Sequence, residues 1–260
     1  MVALEEKLMR EVAEAGLPPI APGGPLVTDE DIAALPDAAR RYMRFMGVVG
    51  RKRDDSFRMS FDGRFLFGGK WVACSVAQYN ARSPVTRIFH MRLRVAGLVP
   101  TYVRDTYIDG KGHMLGKAFD LFRVVDDASE QIGIGECVTW VNDAVLMAPS
   151  MLLVPAVQWA DAGPDAFDVG LTDAGRTVRA RVYLDEAGAP VDFSTTDRFY
   201  VAPGASHPPV RAEWRTPVDG WQAAAARMFP TRARAVWMLD TGPLSYAELD
   251  FDPTRFAVDV

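Results

Sequence analysis

Along the first fifteen residues apolar side chains recur every three or four positions. Leu4, Leu8, Val12 and Ala15 share one side, with Glu5, Glu6, Lys7, Arg10 and Glu11 elsewhere, which predicts an amphipathic helix. Pro18 and Pro19 stop it, and the stretch from Pro19 to Pro25, with Gly23 and Gly24, is a loop. Thr28 offers a helix cap, followed by the acids Asp29, Glu30 and Asp31 that suit the positive end of a helix. Another helix follows Pro36, a residue at home in a first helical turn. It places Ala39, Tyr42, Met43 and Met46 on one face and stops at Gly47.

Near residue 55 the period changes from helical to two. Phe57, Met59 and Phe61 alternate with Ser56, Arg58 and Ser60. Trp71, Ala73, Ser75 and Ala77 alternate with Val72, Cys74, Val76 and Gln78, and Phe89, Met91, Leu93 and Val95 with Ile88, His90, Arg92 and Arg94. Alternation of this kind predicts strands. The pattern continues from Tyr102 to Tyr107, turns at Asp109-Gly110-Lys111-Gly112 and returns from His113 to Phe119, as an antiparallel meander would. Residues 134–148 interrupt it as a helix ended by Pro149. Ile134, Cys137, Val138, Trp140, Val141, Ala144, Val145 and Met147 make that helix apolar almost all round, hence buried. Val178, Ala180, Val182 and Leu184 mark another strand, and more are predicted at 191–201, 209–216, 231–239 and 244–251.

Runs of strands, with helices kept to the start and the middle, predict an α+β fold. About ten strands with short turns predict a single large curved antiparallel sheet, half-barrel-like, with N-terminal helices and one buried helix against the concave face. A closed barrel is the alternative. No compositional break divides the strand region, so residues 1–27 are expected to form a helix and linker and residues 28–260 one domain.

Composition narrows the function classes. The 260 residues are 49% hydrophobic and 24% charged, the profile of an ordinary globular chain. With 29 Lys and Arg against 34 Asp and Glu the net charge is −5, so nucleic acid is not an expected partner. No apolar run reaches the roughly 18–20 residues that span a bilayer, and no transmembrane segment is expected. The N-terminus carries acids where a signal peptide carries bases, which points to the cytoplasm. Cys74 and Cys137, far apart and outside any paired motif, are expected as free buried thiols. Nothing in the sequence sets an oligomeric state.

The order of several short words is familiar. Leu35-Pro36-Asp37-Ala38-Ala39-Arg40-Arg41-Tyr42 is followed by Gly47-Val48-Val49-Gly50, Ala77-Gln78-Tyr79 and the Asp105-x-Tyr107-x-x-Gly110-x-Gly112-x-Met114 string. Gly135-Glu136, Pro149, Trp159, Asp197-Arg198 and Trp237 come after. In this order they resemble a bacterial family catalogued only as a domain of unknown function. Trp140-Val141-Asn142-Asp143 stands where that family tends to have Tyr-Leu-x-Glu, and Phe199 where it often has Tyr. The resemblance implies one fold and candidate positions, and no activity.

Familiar catalytic signatures fail. Gly68-Gly69-Lys70-Trp71, Gly133-Ile134-Gly135 and Gly110-x-Gly112-x-x-x-Gly116 lack the spacing or the strand-to-helix context of phosphate loops. Gly204-Ala205-Ser206-His207-Pro208 places Pro where a nucleophile elbow has Gly. His90, His113 and His207 stand at no ligand spacing, so neither metal nor cofactor is expected, the alternative being a metal site assembled from separate strands by His90 or His113 plus a carboxylate.

What remains is a set of polar residues on elements that otherwise look buried. Glu136 shares a helix face with Trp140, and an acid there either serves as a general acid or base or answers the helix dipole. His90 lies in register with Arg92 and Arg94, lining either a concave pocket or a solvated face. Asp105 and Tyr107 share a strand face and form either a substrate-positioning pair or a structural hydrogen bond. Arg198 is placed to meet a buried carboxylate such as Glu136. Trp71, Gln78, Tyr79, Trp140, Met147 and Trp159 are candidates for a ligand-binding wall, in a chain with eleven Met. Two functions follow. The first is binding of a hydrophobic or amphipathic small molecule between the curved sheet and the buried helix. The second is a cofactor-independent hydrolase, lyase or isomerase acting on a hydrophobic carbonyl compound, with Glu136, His90, Asp105 and Tyr107 as its catalytic set. The second requires those groups to converge on one cavity.

Overall fold

Fifteen strands hydrogen-bond into one antiparallel sheet in the computed structural model, which describes residues 2–17, 24–95, 99–119, 121–202 and 208–259. β1 (Ser56–Phe67), β2 (Lys70–Ala81), β3 (Thr86–Val95), β4 (Val99–Ile108), β5 (Lys111–Ala118) and β6 (Phe122–Asp127) form a meander in sequence order. The other wing holds β7 (Val157–Asp161), β8 (Ala166–Asp173), β9 (Arg176–Leu184) and β10 (Pro190–Thr195). β11 (Phe199–Tyr200) and β12 (Val210–Arg211) make a separate ribbon. β13 (Glu213–Arg215), β14 (Val218–Ala224), β15 (Arg227–Leu239), β16 (Gly242–Asp250) and β17 (Phe256–Val258) complete the chain. Across the sheet the order is β6-β5-β4-β3-β2-β1-β16-β15-β13-β10-β9-β8-β7, with β14 on β15 and β17 on β1. β6 and β7 are its two ends, so the described strands form an open sheet and not the closed barrel.

The N-terminal helices cover the outside and one flank. α1 (Val2–Glu14) lies on the convex face, where Leu4 and Leu8 pack against Ala77, Tyr79, Ala81, Ile88 and Tyr102. Burying each leucine contributes about 1.5–3 kcal/mol. α2 (Asp29–Ile32) starts with the expected cap, a reciprocal pair between Thr28 and Asp31. α3 (Asp37–Phe45) has Pro36 at its N-cap, one position before the first turn, and Tyr42 on it donates a 2.7 Å hydrogen bond to the Val145 carbonyl.

That carbonyl belongs to α4 (Glu130–Met147), the buried helix. α4 touches β3, β4 and β5 on one side and β8, β9, β10 and β15 on the other. Strands from both wings can reach one helix only if the sheet curls around it. Its closest approach is to β5, where a Cβ added at Gly112 would lie 2.6 Å from the Gly133 Cα. The Gly112 and Gly133 words therefore serve helix–sheet packing, and the Asp109-Gly110 turn has the positive φ values of a two-residue hairpin, 50° and 71°.

Several boundaries differ from expectation. α4 begins at Glu130, before residue 134, because its first turn is polar and carries no apolar period. β6, β7, β8, β14 and β17 lie outside the strands read from the sequence. In β6, Phe122-Arg123-Val124-Val125 does not alternate, and the register against β5 shifts between Gly116 and Lys117. Cys74 and Cys137 are buried free thiols, each pushed up to about 12 by burial. Most of the proline loop at 19–25 and the Gly204–Pro208 segment lie outside the described residues.

Candidate functional site

Strand parity decides what faces α4. On β3 the side chains of Arg87, Phe89 and Met91 point to the concave side, and on β4 those of Val103 and Asp105. β1 adds Met59 and Phe61, β2 adds Gln78 and β5 adds Met114. Opposite them β15 and β16 present Ala233, Ala235 and Ala247, whose side chains end at Cβ. The space they leave is a cavity of about 310 Å³, roofed by Glu136, Thr139, Asn142, Asp143, Leu146 and Met147 of α4. Those helix positions recur at i, i+3, i+6, i+7, i+10 and i+11, one stripe on an otherwise apolar helix.

A buried ionic cluster closes one side. Arg87 Nη1 lies 2.7 Å from Glu136 Oε2, and its Nε 2.7 Å from Asp143 Oδ2. Gln78 and Asn80 donate to the same Asp143 oxygen at 2.7 and 3.3 Å. Burial alone would lower the Arg87 pKa, but Asp143 and Glu136 outweigh it and raise it. Every charge in this cluster has a partner, as burial demands.

Two groups beside it are less complete. Asp105 is pushed up to about 7, chiefly by burial and then by the Glu136 charge, against the pull of Arg87, Arg198 and Arg104. Its Oδ1 is shielded and lacks a hydrogen-bond partner among the described residues. Arg198 donates to Thr139 Oγ1 at 2.8 Å and lies over the Trp214 ring, 4.3 Å from its centroid. Among the described residues it makes no ion pair with a carboxylate. An anionic or hydrogen-bonding head group held between Arg198 and Asp105 would complete both.

The structure brings Gln78, Asp105, Glu136, Met147 and Arg198 to one cavity. It sends the other candidates elsewhere. His90 has the opposite parity and lies under α1, its Nε2 2.7 Å from Glu11 Oε2. Tyr107 shares Asp105's strand face but donates to Asp173 at 2.7 Å and accepts from Arg176 at 3.0 Å, tying β4 to the far wing. Tyr79 is buried beneath α1, and Trp71 is on the surface with the Arg64 guanidinium over its ring. Trp140 is in the core and donates to the Ala81 carbonyl at 3.0 Å. Trp159 packs on Phe167 beside a separate shallow hollow. Glu136 meets Arg87 and not Arg198, and it stands well inside α4, where the first-turn dipole does not apply. The convergence of Glu136 or Asp105 with His90 or Tyr107 is therefore not what this geometry assembles.

Sequence reasoning missed Arg87, Thr139, Asn142 and Asp143. A signal for the first was present: Arg87 shares the parity of Phe89, Met91 and Leu93, a cation on an apolar strand face. Asp143 lies seven residues after Glu136, two turns along the same helix face. Among the described residues, no group of three or more His, Cys, Asp or Glu is placed to hold a metal ion. No described helix is long and apolar enough to cross a membrane.

A large curved antiparallel sheet around one helix, with a lined cavity between them, is the class this fold defines. Residues 25–249 match the family of unknown function DUF6544, and the chain belongs to that family. A comparison with curated proteins finds no match. Among solved structures, the chain is similar to a LolA superfamily protein from Nitrosomonas europaea at 11% identity and TM-score 0.42, covering 85% of this chain and 91% of that one. It is also similar to a DUF1329 family protein from Desulfovibrio piger, at 14% identity and TM-score 0.44, covering 86% and 91%.

Proposed function

We propose that the protein binds a hydrophobic or amphipathic small molecule in the cavity between α4 and the sheet. One observation carries this reading: a space of about 310 Å³ walled by Met59, Phe61, Phe89, Met91 and Val103 is also lined by Arg198 and Asp105. Apolar walls with a few convergent polar groups are how small-molecule sites are built, at roughly 300–1,000 Å³. The ligand's apolar body lies along the methionines and phenylalanines, and its polar head reaches Arg198. Native mass spectrometry of the freshly purified chain tests this: an organic adduct of fixed stoichiometry supports the reading. Failure to hold any added apolar compound counts against it.

A second reading, a cofactor-independent enzyme, is favoured by a single feature. A carboxyl with a pKa about 7 faces the cavity and is suited to general acid or base work near neutral pH. Asp105→Asn separates the two readings, because it would stop turnover while leaving apolar binding in place.

A further inference from the structure

The three hairpin tips of the meander lie along one end of the sheet. β1 and β2 meet after Phe67, β3 and β4 after Val95, and β5 and β6 after Ala118. Among the described residues this end presents several large apolar side chains to solvent. Phe67, Phe119, Leu121, Phe122 and Val124 are 47%, 54%, 72%, 63% and 57% exposed, and β6 is a sheet edge. Single exposed apolar residues are ordinary, but a cluster on neighbouring tips and an uncovered edge marks a contact surface.

Its chemical surroundings indicate which contact. On the convex face just behind the tips, Arg92, Tyr102, Lys117 and Arg123 stand in register across β3, β4, β5 and β6. Lys7 of α1 joins the row, its Nζ 3.3 Å from the Tyr102 ring centroid. Arg94 and Lys70 are exposed nearer the tips. Asp126 and Asp127 are the acids of β6: Asp126 is paired with Arg123 and His113, and Asp127 accepts from the Ser129 N–H. Asp120, between Phe119 and Leu121 in the sequence, lies outside the described residues. In a chain of net charge −5, a row of cations behind apolar tips is a local inversion.

We propose that this end docks on an anionic lipid surface, with Phe119, Leu121 and Phe122 entering the acyl boundary and the cationic row meeting the head groups. Apolar insertion backed by Lys and Arg is the pairing that binds such surfaces. The surface also adjoins the cavity. Met91 and Val103 of its wall continue in register through Gly116, which carries no side chain, to the half-exposed Val125 at the edge. Docking does not require that the cavity hold a ligand.

The test is co-sedimentation of the full chain with phosphatidylcholine vesicles, with and without phosphatidylglycerol, at low and high salt. The expected result is binding to the anionic vesicles that high salt releases. Arg92→Gln and Lys117→Gln should each weaken it roughly fivefold. The triple variant Phe119→Ser/Leu121→Ser/Phe122→Ser should lose it at an unchanged thermal melt and with cavity binding intact. Absence of vesicle binding, or undiminished binding by the triple variant, overturns the proposal. So does a dimer that the triple variant dissociates without any vesicle binding, which would make this edge a contact between copies.

Discussion

Arg87 on β3 and Glu136 on α4 meet inside the fold, Nη1 to Oε2 at 2.7 Å, with side chains only 6% and 4% exposed. The pair joins the sheet to the helix it encloses, and Asp143 completes it from two helical turns further on. Removing the cation leaves two buried carboxylates uncompensated. Arg87→Met is expected to cost about 3–5 kcal/mol in urea denaturation. Glu136→Gln should cost less, because Arg87 keeps Asp143.

Asp105 predicts a pH dependence. Its folded-state pKa, about 7, is above the ordinary 3.8, so the folded protein holds a proton the unfolded chain has released. The stability from this group is complete below the ordinary value and is lost as pH rises through about 7. Asp105→Asn should remove that slope and be more stable than the wild type above pH 8, by on the order of 1–4 kcal/mol. Denaturation midpoints across this range check it.

Glu11 predicts the opposite slope. Burial pushes its carboxyl up, but hydrogen bonds from His90 and Arg104 outweigh it and bring it down to about 2 from 4.5. This contribution is present above 4.5 and is lost as pH falls towards 2. Glu11→Gln should cost about 1–3 kcal/mol at neutral pH, and limited proteolysis should then cut within α1 sooner.

Trp140 separates core from site. Trp140→Phe strands the Ala81 carbonyl, so a loss of about 1–3 kcal/mol in stability is expected. Affinity for an apolar probe should not change, because the indole does not line the cavity.

The alternation of β1 to β5 and the all-apolar α4 were legible because period and composition act locally. Parity also separated His90 from Phe89, yet it could not say which face was concave, since that depends on how the distant wing β7–β10 closes around α4. The aromatic wall failed for a related reason. Trp71, Tyr79 and Trp140 occur in strand or helix patterns as apolar as those of Phe61 or Met91, Trp159 lies on a strand the sequence pattern did not show, and only packing assigns each to core, surface or cavity. Asp143 and Arg87 were hidden for the reverse reason, because each is an ordinary charged residue until its partner arrives from another element.

The cavity is tested most directly by titrating the purified chain with 1-anilinonaphthalene-8-sulfonate, an apolar ring system with an anionic head. The account predicts saturable one-to-one binding, retained in the Phe119→Ser/Leu121→Ser/Phe122→Ser chain. Arg198→Met should weaken it roughly tenfold through loss of a charge-assisted hydrogen bond. Ala235→Trp, which fills the space, should abolish it. Binding that Ala235→Trp leaves unchanged, in a variant that melts like the wild type, would contradict the central claim.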